Sequence, residues 1–203
     1  MAGPLKKRLP IFEAAVAVFS EKGFAEATIE EIAQRAGIAK STIYYNYRSK
    51  KALFLSLLEE GIERLENIVR REIARKKDII GQLEALISAQ LSFLEDHKEY
   101  CKLLLSEVWG LGKRWEKQVE RLRSDYINII KDLLRKGQAE GIVRKNLEID
   151  TAATAVFGAV TVAALNAFVF ETDYCYETVL QTLKNLLFTG LQELPRTTAA
   201  PGK

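Results

Sequence analysis

The stretch TIEEIAQRAGIAKSTIYYNYRSKKAL, residues 28–53, decides the fold of this chain. It opens with a capping box, in which the Thr28 hydroxyl accepts a backbone N–H and Glu31 reaches back to the cap. Apolar residues then recur at helical spacing up to Gly37, a position suited to positive φ. A second short helix is predicted over residues 40–47. This order of elements is typical of a helix-turn-helix, which lays its second helix in the DNA major groove.

The second helix of this stretch is predicted to turn a polar and aromatic face to solvent. Ile43 and Tyr47 are spaced to face inward, so the other side chains point outward. Exposed tyrosines beside a lysine and hydroxyl residues are unfavourable as ordinary surface, but they suit contacts to phosphates and base edges. Ser49 can cap the next helix, whose basic first turn would be stabilised by a DNA phosphate. The candidate DNA-binding residues are Thr28, Lys40, Ser41, Thr42, Tyr44, Tyr45, Asn46 and Lys50.

A helix predicted over residues 9–22 precedes this segment, with Pro10 in its first turn and Gly23 at its end. Residues 8–55 as a whole resemble the DNA-binding domain of the TetR family of bacterial transcriptional regulators. The matching segments are IFEAAVAVFSEKGF (11–24), TIEEIAQRAG (28–37) and KSTIYYNYRSK (40–50).

The resemblance implies a recognition helix that begins near Lys40. In the family, the positions of Lys40, Ser41 and Thr42 approach bases, and those of Tyr44, Tyr45, Asn46, Lys50 and Thr28 approach phosphates. The sequence departs from the family pattern at three places: Ala39 replaces a capping Ser or Thr, Ser41 a frequent Gly, and Lys51-Ala52 a frequent acidic pair. The operator sequence therefore cannot be inferred by analogy.

The net charge of +3 falls entirely in the first quarter of the chain. Residues 1–50 contain eight Lys/Arg and five Asp/Glu, whereas residues 51–203 contain 22 of each. So modest an excess indicates that DNA binding would depend on a local patch and on specific contacts. Arg75, Lys76 and Lys77, outside that patch, are expected to be solvated helix surface.

The remaining sequence reads as helix throughout, so an all-α fold is predicted. Three segments are expected: residues 1–50 form the helix-turn-helix DNA-binding domain, 51–194 a larger helical effector-binding and dimerisation domain, and 195–203 a disordered tail. Asp150 is predicted to cap the helix that follows it.

Residues Thr151–Phe170 carry no charge over a length that could span a bilayer. Three threonines, Asn166 and the absence of a flanking basic excess argue against insertion, and an all-round apolar helix is usually buried in protein. The TetR resemblance implies instead a homodimer in which Thr151–Phe170 and Tyr174–Leu191 pack against the same pair of a second subunit. Such a dimer would read a near-palindromic operator.

The family resemblance also implies a small-molecule pocket in the C-terminal domain, whose ligand lowers DNA affinity. The candidate lining is aromatic and apolar and suits a hydrophobic effector, and plain core packing is the alternative for each residue. These residues are Phe93, Tyr100, Trp109, Trp115, Tyr126 and Phe157, with Glu107 as a possible polar contact.

No enzymatic activity, cofactor or metal site is predicted. His97 is the one histidine, and Cys101 and Cys175 lack metal-ligand or redox-motif spacing. No signal peptide is recognised, and a cytoplasmic location is expected. The prediction is a ligand-responsive transcriptional regulator, and a repressor is favoured over an activator. The alternatives are a dimeric DNA-binding regulator without an effector, and a helical lipid carrier or enzyme.

Overall fold

The computed structural model of the chain describes residues 4–108, 116–170 and 173–191. Every regular element of these ranges is helical, as the sequence predicts. The elements are α1 (Pro4–Glu26), α2 (Ile29–Arg35), α3 (Lys40–Asn46), α4 (Lys50–Ala74), α5 (Ile79–Asp96), α6 (Lys98–Val108), α7 (Glu116–Ala139), α8 (Ile149–Leu165), a π-helical segment (Asn166–Phe170) and α9 (Tyr176–Leu191).

The amino-terminal helices begin and end largely where local sequence signals place them. Thr28 and Glu31 form both hydrogen bonds of the capping box, and Ser49 accepts from the Ala52 N–H. Gly37 turns the chain at a φ of 65°. The predicted first helix is wrong at its start, because α1 extends back to Pro4 and holds Pro10 in its interior.

The predicted cap of α8 is also wrong. Glu148, not Asp150, caps the helix, and it accepts hydrogen bonds from the backbone N–H groups of Asp150 and Thr151. Asp150 instead forms an ion pair with Lys131 at 2.5 Å. The helix predicted over Thr151–Phe170 is confirmed as α8, which begins at Ile149, and a π-helical turn over Asn166–Phe170.

Tyr100 of α6 joins the two halves of the molecule. Its ring lies over Gly61 of α4, where any Cβ would overlap it, and its hydroxyl donates to the Leu58 carbonyl oxygen at 2.9 Å. The ring also stacks on Phe12 of α1, with 6.2 Å between centroids. Ser20 of α1 adds a hydrogen bond to Glu99 at 2.9 Å. The amino-terminal helices therefore share a continuous core with the C-terminal helices.

Candidate functional site

Helix α3 is short, and few of its own residues anchor it to the rest of the protein. Ile43 is its one buried residue, and Ala39 provides no side-chain cap. The Tyr45 side chain is 91% exposed and Tyr44 is 47% exposed. Both hydroxyls are thus free to reach a bound macromolecule, while Tyr47 closes the helix and is buried, as its spacing predicts.

The polar candidates around α3 already have partners in the absence of DNA. Lys40 forms an ion pair with Glu30 of α2 and lies 5.7 Å from the centre of the Tyr44 ring. The Asn46 amide donates to the Thr42 carbonyl oxygen at 2.7 Å, Ser41 is exposed and Thr42 is half-buried. A phosphate near Lys40 would therefore compete with the Glu30 carboxylate.

Lys50 is placed differently from the exposed phosphate donor that the sequence suggests. Its ammonium donates to the carbonyl oxygens of Ala25 at 2.9 Å and Ala27 at 2.7 Å, and it lies 4.8 Å from the centre of the Phe24 ring. It thus ties the start of α4 to the end of α1. Thr28 is likewise engaged in its capping box, with its side chain exposed at the surface.

The four described effector candidates fall into two groups rather than one lining. Phe93 and Tyr100 meet edge to face, with 6.4 Å between centroids, and Tyr126 contacts Phe157 at 5.6 Å. Trp109 and Trp115 lie outside the described residues, and nothing is described of the Glu107 side chain.

A buried polar network accompanies the second group. The Tyr126 hydroxyl donates to the Gln90 side-chain oxygen at 2.9 Å, and the Gln90 amide donates to the Thr161 hydroxyl at 3.0 Å. Burial raises the pKa of Tyr126 far above its ordinary value, so this hydroxyl remains a neutral donor. Gln90 and Thr161 were not predicted from sequence, because only the packing of α5 against α8 brings them together.

A cleft of about 520 Å³ lies between the C-terminal half of α4, α5 and α9. Its lining includes the apolar Ile68, Ala89 and Phe93 and the charged Arg71 and Lys184. His97 also lines it, stacked on Phe93 at 4.3 Å and donating from Nδ1 to the Phe93 carbonyl oxygen. His97 is thus half-buried beside an aromatic ring.

Comparison with protein families gives two adjoining matches. A family described as "Bacterial regulatory proteins, tetR family" matches residues 11–57, and one described as "Tetracyclin repressor-like, C-terminal domain" matches residues 76–165. The chain belongs to the TetR family. This family consists of transcriptional regulators, so the chain is a DNA-binding transcriptional regulator, as predicted.

Known TetR-family proteins resemble the chain over nearly its whole length. The fatty acid metabolism regulator protein of Bacillus subtilis is 24% identical over 91% of this chain and 95% of its own. A putative fatty acid metabolism regulator of Clostridium perfringens has a TM-score of 0.79 and 27% identity, covering 89% of this chain and 97% of that one. The Bacillus subtilis regulator FadR, crystallised with stearoyl-CoA, has a TM-score of 0.80 and 22% identity over 90% and 98%.

This TetR-family chain exposes aliphatic side chains on helices α8 and α9. Val162 of α8 is 46% exposed and Leu186 of α9 is 66% exposed. Residues Ile149–Phe168 are long and apolar enough to cross a membrane, and 44% of their most hydrophobic window is buried. Buried helices of water-soluble proteins meet the same criterion, so length and composition alone do not indicate a membrane span.

Among the described residues no group of three or more His, Cys, Asp or Glu is arranged to hold a metal ion. Cys101 is buried, and burial raises the pKa of its thiol to about 12. It is therefore a thiol rather than a thiolate at neutral pH. Cys175 is exposed, so the structure does not pair the two.

Proposed function

We propose that this regulator is a homodimeric repressor that a long-chain acyl ligand, of the class of stearoyl-CoA, releases from its operator. One observation carries the proposal: helix α3 exposes its tyrosines, and the amino-terminal helices that hold it share a continuous core with the C-terminal helices. The acyl class is suggested by FadR of Bacillus subtilis, whose crystal structure contains stearoyl-CoA.

The proposed DNA contacts are those predicted from the sequence, with one change of emphasis. Lys40, Ser41 and Thr42 would approach base edges, and Tyr44, Tyr45 and Asn46 the phosphates. Thr28 remains a proposed phosphate contact through its exposed side chain. Lys50 would act mainly by fixing α4 against α1, since its ammonium is already bound to two carbonyl oxygens.

The proposed dimer is formed by α8 and α9, the described counterparts of the predicted Thr151–Phe170 and Tyr174–Leu191 helices. Val162 and Leu186 are exposed aliphatic side chains, which a second copy of the same face would bury. The functional division proposed is residues 1–50 for DNA and 51–194 for effector binding and dimerisation, in a cytoplasmic protein.

The effector would act by binding better to the conformation that does not bind DNA. Its effect on operator affinity is limited by that difference, typically about 1–3 kcal/mol or about 5–150-fold. Phe93 contacts Tyr100, and Tyr100 contacts Phe12 of α1. A ligand that displaces Phe93 could therefore shift α1 through these packed side chains.

The proposal is tested by selecting operator DNA with the purified protein and then titrating the complex with stearoyl-CoA. Release of DNA within the range above is expected, with stearate and free coenzyme A as comparison ligands. Native mass spectrometry of the same sample should give a dimer. Tight operator binding that none of the three ligands weakens would favour a regulator without an acyl effector, and a monomer would contradict the α8–α9 interface.

A further inference from the structure

The end of α4 and the turn that follows it carry a dense cluster of positive charge remote from the DNA-binding helices. Residues 70–77, RREIARKK, contain five Lys/Arg and one Glu, an excess of four. All five basic side chains are exposed. Cations at a helix C-terminus are favourable for the helix dipole, but one or two are enough for that purpose. Helix α4 spans 25 residues, so its C-terminal end lies roughly 35 Å from Lys50.

Two basic residues of this cluster line the cleft between α4, α5 and α9. Arg71 lines it from the last turn of α4 and Lys76 from the turn after that helix, while Lys184 lines it from α9. Helix α5 contributes the apolar Ala85 and Ala89. One continuous surface therefore presents positive charge at one end and hydrocarbon beside it, which matches an amphiphile with an anionic head.

Three carboxylates, Glu72, Glu84 and Asp96, share the lining with these three cations, so the excess of positive charge comes from the rest of the 70–77 cluster. The Glu72 carboxylate accepts hydrogen bonds from Arg75 at 2.8 Å on both oxygens and from Arg71 at 3.3 Å. These arginines hold the pKa of Glu72 below its ordinary value. Glu84 lies 3.4 Å from Lys184. No ion pair of Lys76 is found within the described ranges. The third carboxylate, Asp96, lies at the other end of α5.

We propose that the basic end of this cleft binds a phosphate-bearing group, with Arg71, Lys76 and Lys184 as its ligands. The adjoining apolar wall would contact the organic part of the same molecule. Guanidinium and ammonium groups are the usual protein partners of phosphate oxygens. This inference rests on the proposed function, in which the effector is of the class of stearoyl-CoA. The phosphate-bearing group is then the coenzyme A head of that effector. A separate phosphorylated small molecule has the same chemistry.

The test is calorimetric titration of the full-length protein with coenzyme A, stearoyl-CoA and stearate. The charge-reversed variant is R71E/K76E, whose two side chains line the cleft. Its matched control is R121E/K145E, which makes the same change of charge at exposed residues outside both the cleft and the basic cluster. Both variants are first compared with the wild type in thermal unfolding, to establish that they are folded.

We expect coenzyme A to bind the wild type more weakly as salt is raised, because the contacts are between charges near the surface. R71E/K76E should lose about tenfold or more in affinity for coenzyme A and stearoyl-CoA, while stearate binding is unchanged. R121E/K145E should remain within about twofold. A third variant, Ser88→Trp, fills the cleft from α5 and should also lower coenzyme A affinity.

Absence of coenzyme A binding at millimolar concentration, or equal losses in the two charge-reversed variants, overturns the inference. Stearate release of operator DNA without coenzyme A binding would leave the acyl function intact and remove only the phosphate site. If coenzyme A binds through Arg71 and Lys76 but no acyl ligand releases DNA, the site is supported and the acyl effector is wrong. Competition between coenzyme A and stearoyl-CoA identifies the head group as the source of phosphate, and its absence identifies a separate molecule.

Discussion

Helix α3 and the α8–α9 pair both leave large apolar side chains in solvent, but they do so with different chemistry. On α3 the exposed residues are Tyr44 and Tyr45, which end in a hydroxyl, and on α8–α9 they are Val162 and Leu186, which offer only hydrocarbon. A tyrosine can satisfy a wet, charged partner such as a phosphate, whereas an exposed leucine gains only by being covered with another apolar surface. The two surfaces therefore indicate two kinds of partner.

The aliphatic surface gives the largest expected effect. Leu186→Glu would place a charge in the proposed dimer interface twice, once from each subunit, and should cost about 2–4 kcal/mol of association. Size-exclusion chromatography with light scattering should then show monomer, and operator affinity should fall with it. Asn128→Glu, on an exposed position of α7, is the control and should remain dimeric. A dimeric Leu186→Glu protein would contradict the interface.

The aromatic surface is tested at Tyr45, which is exposed enough to be changed without disturbing the fold. Tyr45→Ala should weaken operator binding about tenfold, as expected for loss of a hydrogen bond to a charged group. Tyr45→Phe separates ring from hydroxyl in the same fluorescence-anisotropy titration. If the phenylalanine variant binds like the wild type, the ring rather than the hydroxyl makes the contact, and the contrast with Leu186 is weaker.

Lys50 distinguishes a DNA contact from an internal support. Lys50→Met leaves two carbonyl oxygens without their donor and should lower the free energy of unfolding by about 1–2 kcal/mol in a urea titration. If its role is internal, the salt dependence of operator binding keeps its slope. A slope reduced by about one would instead show that Lys50 also neutralises a phosphate. Arg48→Met, at an exposed position nearby, is the charge-matched control for stability.

Glu31 gives the smallest effect and a pH signature. Hydrogen bonds from Lys22 and Thr28 lower its pKa in the folded protein, so its stabilising contribution is present above the unfolded pKa and is lost as pH falls through the folded pKa. Glu31→Gln should therefore be less stable than the wild type at neutral pH. Urea unfolding at decreasing pH should show the difference shrinking below about pH 4.5. Glu13→Gln, on the exposed side of α1, is the comparison, and a pH-independent gap would contradict the assignment.

The sequence predicts local features of this fold better than tertiary ones. The capping box at Thr28, the Ser49 cap and the turn at Gly37 depend on residues within three or four positions of each other, and all are confirmed. Glu148 and Asp150 are both able to cap α8. Asp150 pairs with Lys131, which lies on a different helix, and that contact depends on how α7 packs against α8.

The same limit applies to the candidate sites. The exposure of Tyr44 and Tyr45 follows from helical spacing around Ile43, so it could be predicted from the sequence. Lys50 reads as a surface cation in sequence, but its partners lie 23 and 25 residues away. Tyr100 reads as a candidate for the effector lining, yet its hydroxyl partner is 42 residues away on α4. Their roles depend on which helices pack together, and a single sequence does not state that.

The packing of Tyr100 against Gly61 has a consequence for protein engineering. Its ring fills a space that only glycine leaves open on α4, and its other face supports Phe12 of α1. An amino-terminal fragment that lacks α6 would expose both of those surfaces to water. The DNA-binding helices are therefore not a portable module, and a chimaera that joins them to another sensor domain must bring a ring and a glycine that fit each other in the same way.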